Sequence, residues 1–268
     1  MKKINYLGVA ISVIGIFTGL LLFYLLADSF MTVVNGKITS TPSRPDEAIA
    51  VMITSSMLGW LGIGASGLWG AVLYGFLTKQ EWSWRYGKIA AALQMLAGFF
   101  PTIPAKSIDL PAATMPVFII ATILWFGIMY VGKVNRKVVV FLFIAGMAYV
   151  LSYVNGVAII SKYQTTIYND LWKGMYAVVF AVTWFASASW LIMSIGVLKR
   201  KAYTIPLGIM AAIMAMIAGY TLAIVNIMEV HRFSMFLLAP LFSTGLLIYL
   251  CLPGTKKLLT EWEHKTFI

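Results

Sequence analysis

Four polar residues near the ends of apolar segments are candidates for attracting a cation. Asn35 and Asn155 close the first and fifth segments, and Asp109 and Glu229 follow the third and seventh. Carboxylate and amide oxygens at the mouth of a membrane pore attract cations or protonated amines. The sequence therefore predicts a polar, ligand-binding mouth. The alternative is that each Asn, together with the Gly that follows it (Gly36 or Gly156), ends a helix. In that case the two acids are simply solvated.

A second set of polar side chains interrupts the apolar segments themselves. Such side chains face the interior of a helical bundle or a cavity. The set comprises Gln94, Ser152, Thr183, Tyr220 and Asn226. We take Gln94 and Asn226 as candidates for ligand binding. The alternative is that these groups form hydrogen bonds between helices and bind nothing.

The residue types needed for most catalytic or metal-dependent chemistry are scarce. The chain has two His and one Cys, Cys251. This disfavours a haem held by paired histidines and a zinc cluster. Nucleophile-elbow and Walker patterns do not occur. The 15 methionines are better explained by packing than by copper(I) ligation. We therefore expect no catalytic residue, no metal site and no cofactor, and an enzyme is less favoured than a non-enzyme.

The composition is that of an all-α protein embedded in a lipid bilayer. Hydrophobic residues make up 61% of the 268 residues, charged residues only 11%, and the mean hydropathy is +0.89. Soluble domains carry about twice that charged fraction. The net charge is +11. Cytoplasmic loops of membrane proteins are enriched in Lys and Arg, which explains this excess, so a nucleic-acid partner is not expected. The bilayer is the expected partner, together with other membrane subunits or a second copy of the chain.

About eight apolar segments approach the length of roughly 20 residues that crosses a bilayer. They cover residues 5–34, 48–78, 86–104, 113–132, 137–160, 171–198, 204–229 and 234–252. The third contains Pro101 and Pro104, which predict a kink or break there.

The basic residues predict which side each loop faces. With eight spans, one side of the membrane holds 14 of the 20 Lys and Arg residues and the other side holds 6. Because cytoplasmic loops are enriched in these residues, both termini are predicted to be cytoplasmic and the protein to lie in the cell membrane.

Two stretches of the chain resemble each other without a gap. Residues 65–98 and 186–219 align at a constant offset of 121, with 11 identical pairs among 34 positions. The identical pairs are Ala65/Ala186, Ser66/Ser187, Trp69/Trp190, Gly75/Gly196, Leu77/Leu198, Gly87/Gly208, Ala90/Ala211, Ala91/Ala212, Met95/Met216, Ala97/Ala218 and Gly98/Gly219. Asn35 and Asn155, and likewise Asp109 and Glu229, match at an offset of 120. The alternative is chance similarity between two segments rich in Ala, Gly and Met.

These matches predict a tandem duplication of four spans. The first repeat is residues 1–134 and the second is residues 135–268, within one integral membrane unit. Because four is even, the two repeats have the same orientation and a pseudo-two-fold axis along the membrane normal. Small residues let membrane helices approach closely. Ser66, Trp69, Ser187 and Trp190 are therefore expected to pack helices together.

Three functions remain open for such a protein. A permease or channel for a small solute or ion, with a polar mouth on the extracytoplasmic side, fits the duplication and the proline-interrupted third span. A non-catalytic subunit of a larger membrane complex, such as a respiratory assembly, fits the short loops and the lack of a catalytic set. A membrane enzyme that modifies lipid comes third, because it needs two acids that act as a close pair.

Overall fold

A computed structural model describes residues 4–40, 42, 46–162, 169–231 and 233–262, and this part of the chain is helical and free of strands. The helices are α1 Tyr6–Ser40, α2 Asp46–Leu77, α3 Trp82–Phe99, α4 Thr102–Lys106, α5 Met115–Val131, α6 Arg136–Lys162, α7 Asp170–Leu198, α8 Thr204–Val230, α9 Leu238–Cys251 and α10 Thr255–Thr260. A single 3₁₀ turn, Met235–Leu237, leads into α9.

Among the described residues, five helices are long and apolar enough to cross a membrane: α1, α2, α6, α7 and α8. The helices α5 and α9 are shorter and also apolar. The predicted class, an all-helical protein with several membrane-spanning helices, is confirmed. The number of eight spans and the cytoplasmic placement of both termini stay predictions.

The chain divides into two compact units, each with its own core. The N-terminal unit contains α1 to α5, and the C-terminal unit contains α6 to α10. In the N-terminal unit α1 packs on α2, α2 on α3, and α3 on α5, and α5 returns to α1. In the C-terminal unit α6 packs on α7, α7 on α8, and α8 on α9, and α9 returns to α6. Each unit is thus a closed four-helix arrangement with sequential neighbours.

The third long helix of the N-terminal unit is broken, as the prolines predict. Helix α3 ends at Phe99, and the short α4 begins at Thr102 after Pro101. The Thr102 hydroxyl donates to the Phe99 carbonyl at 2.6 Å, which satisfies one acceptor freed by the break. In the C-terminal unit, α8 runs without a break to Val230.

Matching hairpin turns join the second and third long helices of each unit. Lys79 and Arg200 adopt left-handed backbone conformations, with φ of 61° and 55°. The Gln80 amide donates to the Gly75 carbonyl at 2.7 Å, and the Lys201 amide donates to the Gly196 carbonyl at 2.9 Å. Both helices therefore end with the same type of turn.

Candidate functional site

The core of the N-terminal unit is organised around the carboxamide of Gln94. This side chain is completely buried on α3. The Trp69 indole Nε1 donates to Gln94 Oε1 at 3.0 Å, and Gln94 Nε2 donates to the Gly15 carbonyl at 2.7 Å. One polar side chain thereby connects α1, α2 and α3. Its hydrogen bonds offset the cost of burying an amide in an apolar core.

Two glycines of α1 create the space for this arrangement. A Cβ added at Gly15 would lie 2.5 Å from the Trp69 ring. A Cβ added at Gly19 would lie 2.9 Å from Gln94 Nε2 and 2.6 Å from the Gly62 carbonyl. Real Cβ atoms do not approach so closely, so a larger residue at either position would displace the buried indole or carboxamide.

The four residues predicted to pack helices all lie inside the bundles. Trp69 and Trp190 are completely buried, and Ser66 and Ser187 are nearly so. Hydrogen bonds between helices also involve the two serines.

Those serine hydrogen bonds define corresponding levels in the two units. Ser66 Oγ donates to the Ile16 carbonyl of α1 at 2.9 Å, and Ser187 Oγ donates to the Tyr149 carbonyl of α6 at 3.3 Å. Since Ser66 and Ser187 occupy the same place in the sequence match, Ile16 and Tyr149 lie at corresponding levels of their bundles.

This correspondence corrects the pairing of Asn35 with Asn155. Asn155 lies six residues after Tyr149, so its counterpart on α1 is Leu22, six residues after Ile16. Leu22 comes 13 residues before Asn35. Neither asparagine ends its helix, because α1 continues to Ser40 and α6 continues to Lys162. The expectation that they form an equivalent, helix-ending pair is therefore wrong.

The two asparagines also differ in their surroundings. Asn35 is exposed. Gln94 contacts α1 at Gly15, and Asn35 lies about 30 Å further along this helix, because an α-helix rises 1.5 Å per residue. Asn155 is buried, and its Nδ2 donates to the Phe236 carbonyl at 3.1 Å. In the N-terminal unit, Asn35 and Gln94 are therefore far apart, whereas Gly36, next to Asn35, packs against Ile108, next to Asp109.

In the C-terminal unit, two candidate residues hold the segment that leads into α9. Asn226 Nδ2 donates to Ser234 Oγ at 3.1 Å, and Ser234 Oγ accepts from the Phe236 amide at 3.3 Å. Asn155 binds the same segment through Phe236. Asn155 and Asn226 thus position the start of α9, and Glu229 lies one turn beyond Asn226 on α8 and is partly exposed.

The acids sit at helix ends as the sequence predicts. Asp109 is exposed in the turn after α4, with φ of 58°. At the end of α8 the residue with the matching left-handed conformation is His231, with φ of 54°, not Glu229. Asp109 and Glu229 therefore differ in local conformation.

The sequence did not reveal a buried ion pair in the N-terminal unit. Lys37 Nζ lies 3.0 Å from Glu47 Oε2, and the two side chains are only 9% and 10% exposed. The pair joins the end of α1 to the start of α2. The positions of Lys37 and Glu47 on either side of a short connection could have suggested an ion pair. The burial of the pair depends on packing, which the sequence does not show.

A small cavity lies beside the break between α3 and α4. Its volume is about 20 Å³, which is enough for about one water molecule. Ser29, Ser55 and Thr114 line it together with prolines of the broken segment. The Thr114 hydroxyl donates to the Gly98 carbonyl at 2.7 Å, so a side chain of the cavity wall satisfies the interrupted helix.

Groups of three or more His, Cys, Asp and Glu that could hold a metal ion do not occur among the described residues. The chain was also compared with known proteins: no family model, curated protein or solved structure matches it.

Proposed function

We propose that the protein is a multi-pass membrane permease for a small polar solute or cation, built from two versions of one four-helix unit. The observation that carries this proposal is the broken helix of the N-terminal unit, with its cavity between Phe99 and Thr114. Transporters bind substrates where membrane helices are interrupted, because backbone that leaves the helix is tolerated only where it is buried or lines a cavity.

Matched contacts at equivalent positions support a common origin of the two units. Beside the serine bonds and the hairpin turns, glycines of α3 and α8 meet equivalent partners. A Cβ added at Gly87 would lie 2.8 Å from Ile128 of α5, and one added at Gly208 would lie 2.9 Å from Leu250 of α9. Similar composition could explain matching residues in the two units. It does not explain why the matching glycines also contact helices at corresponding places in the order of each unit.

Two exposed acids near the proposed entrance, against one exposed base, Lys106, favour cations as the substrate class. Asp109 is exposed close behind the broken segment, and Asp28 is exposed on α1 next to Ser29 of the cavity. Carboxylates near a narrow entrance raise the local concentration of cations. In this proposal the cavity binds the solute transiently, and the acids attract it.

A flux measurement tests the cavity directly. In proteoliposomes, Ser55→Leu places an apolar side chain in the cavity and should abolish flux of a small cation such as potassium. Ser56→Leu is the matched control, because Ser56 is exposed on the same helix. Equal flux through both variants would contradict the assignment of the cavity.

The acids are tested in the same assay. Asp109→Asn combined with Asp28→Asn should lower cation flux at low salt. The effect should shrink at high salt, because dissolved ions screen the attraction of the carboxylates. Glu261→Gln, on the predicted cytoplasmic side, should leave flux unchanged. Unchanged flux in the double variant would remove both acids from the mechanism.

A second candidate function is a subunit of a larger membrane complex. A shallow apolar groove of about 470 Å³ on α7 is lined by Phe180, Ala181, Trp184, Phe185 and Ala188. Such a groove suits an apolar helix of a partner as well as lipid chains. Purification in mild detergent distinguishes the two functions: a stoichiometric partner supports the subunit, and an isolated chain with flux supports the permease.

A further inference from the structure

One end of the C-terminal unit carries a concentration of exposed basic side chains. Two of them begin α6, three lie in the turn between α7 and α8, and two lie on α10. They are Arg136, Lys137, Lys199, Arg200, Lys201, Lys256 and Lys257. In these segments Glu261 is the one exposed acid that the structure describes. We call this set of seven bases the basic end.

The packing of α6 on α7 brings the first two of these segments to one level. Ser187 Oγ of α7 donates to the Tyr149 carbonyl of α6 at 3.3 Å. The two helices run in opposite directions, because α6 begins and α7 ends on the same side of this contact. Arg136 precedes Tyr149, and Arg200 follows Ser187, by the same thirteen residues. The start of α6 and the turn after α7 therefore lie side by side.

The end of α9 joins the same end of the unit. The rings of Phe141 on α6 and Tyr249 on α9 stack with their centroids 5.7 Å apart. A Cβ added at Gly208, near the start of α8, would lie 2.9 Å from Leu250. The segment that follows α9 therefore begins beside the other two basic segments.

That segment, α10, is fastened at both of its ends. The Thr255 hydroxyl donates to the Tyr249 carbonyl of α9 at 2.9 Å. Just beyond α10, the Trp262 indole donates to the Val197 carbonyl in the last turn of α7 at 3.1 Å. Thr255, Leu259 and Trp262 are buried. Helix α10 therefore runs from α9 to α7 and packs one face against the end of the unit.

This packing determines where several of the bases lie. Lys256 and Lys257 occupy the exposed side of α10, because its other side is buried. The Arg200 guanidinium carbon lies 4.8 Å from the centre of the Trp262 ring, which is a cation–π contact. The fold thus holds bases from two separate segments on one surface.

The corresponding end of the N-terminal unit is less basic. Its described bases are Lys79, Arg85, Lys88 and Lys133, and Glu81 lies among them. Cytoplasmic loops are basic in membrane proteins generally, and four bases suffice for that pattern here. The seven bases of the C-terminal unit, two of them added by α10, exceed it.

Large apolar side chains beside the bases indicate contact with a membrane surface. Tyr203 follows the basic turn and is 44% exposed, and Leu252 follows α9 and is 50% exposed. Side chains of this kind lie at the boundary between headgroups and acyl chains. A surface that is both basic and apolar suits a bilayer better than a wholly water-soluble acidic partner.

We infer that the basic end binds the headgroups of anionic phospholipids in the leaflet that it meets. Clusters of about four to eight Lys and Arg residues next to membrane-spanning helices attract such lipids. The ammonium and guanidinium groups donate hydrogen bonds to the lipid phosphates, and Tyr203 and Leu252 contact the acyl chains. The assignment does not depend on transport and holds for a permease or for a complex subunit.

Quenching of a label on Cys251 tests the surface where it lies. Cys251 is exposed, is the last residue of α9 and is the only cysteine of the chain. The full chain, labelled there with bimane, is reconstituted in phosphatidylcholine vesicles. Small fractions of phosphatidylglycerol or phosphatidylcholine, each with a nitroxide on the same acyl carbon, are then added. The labelled phosphatidylglycerol should quench at a several-fold lower mole fraction, and equal quenching by the two lipids would overturn the proposal.

Two double variants with the same loss of charge separate the surface from net charge. Lys256→Gln with Lys257→Gln should remove most of the preference for phosphatidylglycerol, because each base near an anionic surface contributes about a fivefold factor in binding. Lys79→Gln with Arg85→Gln, in the N-terminal unit, should retain it. Both pairs are exposed, so folding should be unaffected. An equal loss in the two variants would contradict the proposed surface.

Salt provides an independent readout of the same surface. In about 1 M salt the screening length falls to roughly 3 Å, so the wild-type preference for phosphatidylglycerol should disappear. A preference that survives at this concentration would contradict recognition through headgroup charge.

Discussion

The indole of Trp69 donates a hydrogen bond of 3.0 Å to the carboxamide of Gln94, and both side chains are completely buried. The carboxamide in turn donates to the Gly15 carbonyl. Three helices of the N-terminal unit therefore depend on one polar side chain.

Replacing Gln94 tests that dependence. Gln94→Ala leaves the Trp69 N–H buried without its acceptor and creates a cavity, so we expect a loss of about 2–4 kcal/mol in unfolding free energy. Reversible unfolding in mixed detergent micelles measures it. Gln80→Ala, in an exposed turn, is the control and should change stability by less than about 0.5 kcal/mol. A loss no larger than that of the control would show that the buried network contributes nothing.

Glycines at close helix contacts should not tolerate alanine. A Cβ at Gly98 would lie 2.7 Å from the Phe118 backbone nitrogen, and one at Gly219 would lie 2.6 Å from Pro240. We expect Gly98→Ala and Gly219→Ala each to cost about 1–3 kcal/mol through overpacking, measured by the same unfolding assay.

Gly67→Ala is the control for these two variants. No described atom lies within 4 Å of a Cβ added there, so alanine should be neutral or slightly stabilising because it favours the helix. If all three variants behave alike, the close contacts of Gly98 and Gly219 are not part of the folded bundles.

The buried pair of Lys37 and Glu47 should matter most when only one partner is removed. Glu47→Gln removes the carboxylate that lies 3.0 Å from Lys37 Nζ, and we expect a cost of about 1–3 kcal/mol in unfolding free energy. Replacing both residues, Lys37→Met with Glu47→Leu, should recover most of that loss, because no buried charge remains. A double variant as unstable as the single one would mean that the pair itself supplies the stability.

The predicted orientation can be measured with single cysteines. In a Cys251→Ser background, Gln80→Cys lies on the predicted cytoplasmic side and Ser107→Cys on the opposite side, and both positions are exposed. A membrane-impermeant maleimide added to intact cells should label Ser107→Cys only, and Gln80→Cys should react only after permeabilisation. The reverse pattern would invert the topology.

The sequence predicted local features of the fold better than long-range ones. Helical class, apolar segments and the break at Pro101 follow from composition and from the missing proline N–H, which act locally. The partner of Gln94 on α1 is Gly15, 79 positions away along the chain, and only packing determines that contact.

The misplaced pair of asparagines has a related cause. The match of Asn35 with Asn155 relied on a sequence offset taken from α2 and α7. The first helix of each unit has its own register, because the chain from Ile16 to Ser66 spans 50 positions and the chain from Tyr149 to Ser187 spans only 38. Hydrogen bonds such as that of Ser187 with Tyr149 determine that register, and a sequence alone does not contain them.

The central claim is that two versions of one four-helix unit form this membrane protein. An experimental structure in a lipid bilayer tests it most directly. We predict that α2 and α3 superpose on α7 and α8 by a rotation about the membrane normal, with Trp69 on Trp190 and Ser66 on Ser187. A superposition that needs an axis in the membrane plane, or one that separates these side chains, would contradict the claim.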